Sequence, residues 1–109
     1  MKTWLFLSVG LILTACGGTP DRFAVTAPSV TDTQRIAFRA VEVRDVSLPS
    51  YSASDEIAVL DTSGRLISSS SVLWADAPPR AVALELSRNL ARLTGARVAS
   101  EPWPFEAFP

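Results

Sequence analysis

The chain contains a single cysteine, at position 16, directly behind Leu13-Thr14-Ala15. Nothing else in the sequence constrains the fold as strongly, because one thiol cannot form a disulfide within the chain. Ahead of it, Lys2 and an apolar run from Trp4 to Leu13 read as the charged and hydrophobic regions of a signal peptide over residues 1–15. That run is too short to cross a bilayer, which takes about 20 apolar residues. Leucine, two small residues and cysteine in that order form a lipobox. Cleavage is therefore expected between Ala15 and Cys16, with lipidation at Cys16. A core helix is the alternative, but it would show polar residues at helical spacing. Ser8 interrupts the run and Thr3 stands just ahead of it, and Gly17-Gly18-Thr19-Pro20 ends the segment.

Residues 16–33 are rich in Gly, Thr, Pro, Ser and Asp and read as a flexible tether. The rest, 34–109, must then fold by burial alone, close to the lower size limit for an independent core. Ten basic and eleven acidic residues nearly cancel, so the clustered basic excess of a nucleic-acid surface is missing. No histidine is present, which removes the commonest metal ligand and general base. No metal site, cofactor or catalytic residue is expected.

Arg35 to Val46 is rich in β-branched and aromatic residues and predicts a long strand. Ile36 and Phe38 differ in parity from Val41 and Val43, so a bulge near Arg39-Ala40 is needed to put all four on one face. Leu48-Pro49-Ser50-Tyr51 ends that strand. Glu56–Leu60 and Arg65–Ser68 predict two strands of a hairpin around the turn residues Asp61-Thr62-Ser63-Gly64. The serines from Ser68 to Ser71 have no base beside them and are read as an edge strand, not as nucleophiles. Asp55 and Glu56, adjacent on a strand, point to opposite faces.

Asp76-Ala77-Pro78-Pro79 announces a helix over 79–94, since proline is tolerated in a first turn. Gly95 supplies its left-handed cap, and Arg92 and Arg97 complement the dipole. Val82, Leu86, Leu90 and Leu93 form an apolar stripe expected to cover a sheet. Ala81, Leu84, Glu85, Arg88, Ala91 and Arg92 fall on the outer face, where Leu84, Arg88 and Arg92 are the candidate partner or oligomer contacts. Ala96–Ser100 predicts a last strand. The prolines and aromatics of Glu101 to Pro109 suit a membrane-interface or partner-binding tail, or a connector.

The lipobox, the tether, a strand leading to Leu48-Pro49-x-Tyr51, the short Ile57–Leu60 strand, Trp74-Ala75-Asp76-x-Pro78 ahead of an amphipathic helix and the Val98-Ala99-Ser100 strand together resemble the ABC-type transport auxiliary lipoprotein family. The resemblance implies an α/β fold, a mixed β-sheet packed by an amphipathic helix, with this chain as the N-terminal half of a larger domain. It further implies a non-enzymatic protein, lipid-anchored on the periplasmic side of the outer membrane and forming a homo-oligomer. The implied partners are an ABC transporter and MCE-type (mammalian cell entry) proteins that move lipids between the two membranes. Glycine at 17, where aspartate would resemble an inner-membrane retention signal, carries the outer-membrane assignment. The same features also fit a structural or scaffolding envelope lipoprotein.

Overall fold

A computed structural model describes residues 17–107; Ala15 and Cys16 lie outside them. The elements are β1 (Asp21–Phe23), β2 (Ala40–Val43), α1 (Ser50–Ala53), β3 (Val59–Leu60), β4 (Leu66–Ile67), β5 (Val72–Trp74), α2 (Pro78–Thr94) and β6 (Arg97–Ser100). The fold is α/β, with small sheets packed by one long helix.

Two strand groups flank α2. In the first, β2 pairs in parallel with β6, Ala40 opposite Arg97 and Val43 opposite Ser100. Parallel neighbours cannot be joined by a tight turn, and α2 completes the return, packing on β6 and β2. In the second group β5 is central. β1 lies parallel on one side of it, Asp21 opposite Val72, and the stretch around Glu56 lies antiparallel on the other, Glu56 opposite Leu73. The stretch expected to be a tether thus contains a strand. Asp-Arg-Phe has little strand character of its own. What orders it is the free edge of β5, through Asp21 N–H to Ser71 C=O at 2.9 Å and Ala75 N–H to Phe23 C=O at 2.8 Å.

The strand predicted over 35–46 shortens to Ala40–Val43. Its partner among the described residues, β6, is four residues long, so Ile36 and Phe38 precede the ladder, 37% and 71% exposed. The parity conflict that called for a bulge disappears. Pro49 starts a helical turn instead of only ending a strand: its carbonyl accepts from the N–H groups of Ser52 and Ala53. Ser68 to Ser71 do not continue a strand, because their hydroxyls compete for local partners. Ser69 Oγ accepts from Ser71 N–H at 3.2 Å and shares a 2.7 Å hydrogen bond with Ser71 Oγ.

The hairpin forms on shorter strands than predicted, with Val59 opposite Ile67 and Leu60 opposite Leu66. Asp61 holds its turn by accepting from Ser63 Oγ, Ser63 N–H and Arg65 N–H, and its other oxygen meets Arg65 Nε at 3.0 Å. The Ser63 hydroxyl, followed by the Arg65 N–H, lowers the Asp61 pKa to about 2. Gly64 completes the turn at φ 85°.

Helix α2 starts at Pro78, and its two prolines at N1 and N2 lack N–H groups that would have had no partner within the helix. Asp76 stands just ahead, accepting from Ala77 N–H at 2.8 Å and pairing with Arg80 at 3.2 Å. Gly95 caps the other end at φ 67°, donating to Ala91 C=O at 2.9 Å. The helix is rotated from the predicted stripe. Its buried positions are Pro78, Ala83 and Ser87, while Leu86 is 43% exposed. Ala83 and Ser87 face the space between α2 and the β2–β6 pair. Ser87 tolerates burial because its hydroxyl donates to Ala83 C=O at 2.8 Å.

Candidate functional site

The rotation of α2 brings two of the three candidate partner residues into a groove. Ala83, Leu84, Ser87 and Arg88 form one wall. Val43 to Val46 at the end of β2 and Ala99 to Pro102 leaving β6 form the other, around a space of about 940 Å³. The lining is mainly aliphatic. Its arginines are paired: Arg88 hydrogen-bonds Glu85, one helical turn back, Arg80 pairs with Asp76, and Arg44 Nε meets Glu101 at 2.9 Å.

Leu84 and Arg88 also border a smaller groove of about 210 Å³ toward β1 and β5, with Phe23, Val25 and Trp74 opposite. They therefore form a ridge between the two strand groups. Leu84, which helical spacing puts on the outer face, is half-buried in this ridge. Arg92 is exposed in the last turn of α2 and lines neither groove. Cys16 and the cleavage site lie outside the described residues.

Glu101 is the functional-looking residue that sequence reasoning missed. Its N–H donates to Val43 C=O at 3.0 Å and its carboxylate accepts from Arg44 Nε and from Asp45 N–H at 3.2 Å. It closes the floor of the groove where β2 and β6 both end. The hydrogen bond to Glu101 raises the Arg44 pKa further above its ordinary value. Beyond it the tail folds back on itself: Trp103 and Phe105 meet edge to face at 5.0 Å, and the Arg97 guanidinium lies 5.1 Å from the Phe105 ring centre.

Ser68 Oγ donates to Glu56 at 2.7 Å in an exposed pair. Among the described residues no group of His, Cys, Asp and Glu is placed to hold a metal ion. The apolar core is slight: among the described residues Val43 at 9% and Ala83 at 8% exposure are buried, with Pro78 at the start of α2, and the first two lie at the groove.

The sequence pattern of the ABC-type transport auxiliary lipoprotein component family matches residues 23–109. The chain belongs to this family. The match begins inside β1 and runs through both grooves, so the Leu84–Arg88 ridge lies within the family domain. The protein is thus an auxiliary lipoprotein component of ABC-type transport, associated with the cell envelope. No helix among the described residues is long and apolar enough to cross a membrane. Comparison with curated proteins and with solved structures gives no match.

Proposed function

We propose that the protein is anchored through lipid on Cys16 to the periplasmic side of the outer membrane. There it acts, without catalysis of its own, as the docking component of a system that moves lipids between the inner and outer membranes. Its partners are an ABC transporter and MCE-type proteins, and it works as a homo-oligomer. The observation that carries this reading is the Leu84–Arg88 ridge with an apolar groove on either side, on a domain whose buried Val43 and Ala83 sit at the larger groove. Covering such a surface removes apolar area from water, the main favourable term in protein association.

A non-catalytic role is supported by the lack of histidine and by serines engaged with one another and with Glu56. Affinity purification of the tagged full chain from detergent-solubilised membranes tests the assignment. Recovery of ABC and MCE subunits is expected. Recovery of cell-wall or outer-membrane assembly proteins in their place would make the protein a scaffolding lipoprotein.

A further inference from the structure

The β3–β4 hairpin carries four large apolar side chains and covers none of them: Val59, Leu60, Leu66 and Ile67 are 55%, 69%, 49% and 49% exposed. Directly opposed residues of an antiparallel pair share a face. Val59 and Ile67 therefore occupy one face and Leu60 and Leu66 the other, so the hairpin is apolar on both sides. Monomeric proteins seldom leave such a patch open unless it meets a partner or a membrane. Tyr51, 52% exposed, borders the same shallow surface as Leu66 and Ile67, which adds an amphipathic ring suited to a bilayer interface.

The topology says where this hairpin points. Ile57 donates to Val72 and Trp74 donates to Asp55, so the chain from Ile57 onward runs past the N-terminal end of β5. Asp21 begins β1 opposite Val72, and the residues leading back to Cys16 leave from that same end. From Cys16 to Asp21 is five residue steps, at most about 18 Å extended. From Ile57 to Asp61 at the tip is four steps, about 13 Å as a strand. The anchoring residue and the hairpin tip thus lie within reach of one plane.

We infer that the β3–β4 hairpin rests in the headgroup layer of the bilayer that holds Cys16, with its apolar side chains at the acyl boundary and its turn among the headgroups. The inference rests on the lipid-anchor reading above. The turn suits that setting because Asp61 and Arg65 neutralise each other in a 3.0 Å pair. Interfacial segments of this kind combine buried apolar area with polar groups that stay at headgroup level. With β1 joined to β5, short reach converts the anchor into an orientation, hairpin toward the membrane.

The test uses the full lipidated chain in vesicles of phosphatidylethanolamine and phosphatidylglycerol, some carrying a nitroxide near the headgroup. Thr62→Cys in the exposed turn, or Leu86→Cys on α2 as the comparison, supplies the only free thiol for an environment-sensitive dye once Cys16 is modified. The Thr62→Cys label should be quenched by the nitroxide lipid and the Leu86→Cys label should not. Adding Leu60→Glu and Leu66→Glu should abolish that quenching while far-UV circular dichroism stays the same. Equal water access of both labels, with lipid on Cys16 confirmed by mass, overturns the hairpin placement and leaves the anchor standing. A hairpin label shielded from water but not quenched by lipid overturns it in favour of a second copy or a partner protein. Cys16 found unmodified by mass removes the anchor, and this placement with it.

Discussion

Truncating Val43 should cost more stability than truncating Leu86, although leucine is the larger residue and stands on the stripe that sequence periodicity marks as buried. Val43→Ala removes two methyl groups at about 0.8 kcal/mol each, and because Val43 is only 9% exposed nearly all of that is lost. A small cavity term brings the cost to about 2 kcal/mol. Leu86→Ala removes three carbons, about 2.4 kcal/mol if fully buried. At 43% exposure roughly 1.4 kcal/mol of that applies, and the better helix propensity of alanine returns a few tenths, leaving about 1 kcal/mol. Urea unfolding followed by far-UV circular dichroism measures both. With a slope of about 1 kcal/mol/M for a domain this small, the midpoints fall by roughly 2 M and 1 M. A larger shift for Leu86→Ala would mean that α2 packs on its leucine stripe, and the groove built from Ala83, Leu84 and Ser87 would be wrong.

Leu90→Ala, at a half-buried position one turn beyond Ser87, should cost about 2 kcal/mol by the same assay, and a change near zero would place it in solvent. Gly95→Ala meets no atom within 4 Å of the added carbon, so its cost, about 1 to 2 kcal/mol, is purely that of the left-handed backbone at φ 67°; the unfolding midpoint reads it. Asp61 should titrate by NMR near 2, against about 4 for an unfolded carboxylate. Because its folded pKa is the lower one, its contribution to the hairpin is complete above about 4 and is lost as pH falls toward 2. A midpoint near 4 in the folded protein would mean that the Ser63 and Arg65 bonds are not made. Cys16→Ser should leave the precursor without lipid and remove the protein from the outer-membrane fraction; unchanged fractionation would dismiss the lipobox.

Elements with strong local signals were legible in the sequence. The Pro78-Pro79 start and Gly95 stop of α2, and the Asp61 to Gly64 turn, follow from backbone chemistry that neighbours cannot easily override. Strand lengths were not, because a strand is only as long as its partner: Arg35 to Val46 carries β-forming side chains throughout, but β6 offers four residues to pair with. β1 was invisible for the converse reason, since Asp-Arg-Phe forms a strand only because β5 has an edge to fill. Periodicity marks a different face of α2 because it ranks residues by apolarity, whereas the residues the helix buries in its middle are small, Ala83 and Ser87. Helical spacing puts Leu84 and Arg88 on one outer face, and the ridge that joins them comes from the rotation of α2. Glu101 carried no sequence signal, because its role depends on β2 and β6 ending side by side.

The most direct test of the central claim, that the Leu84–Arg88 ridge docks this lipoprotein onto its transport system, is site-specific photo-crosslinking in intact cells from position 84, with position 86 on the exposed face of α2 as the comparison. The expected result is a crosslink from position 84 to an MCE-type or ABC subunit, or to a second copy of this chain, with little from position 86. Crosslinks from position 86 alone, or from neither position while Cys16 carries lipid, would contradict it.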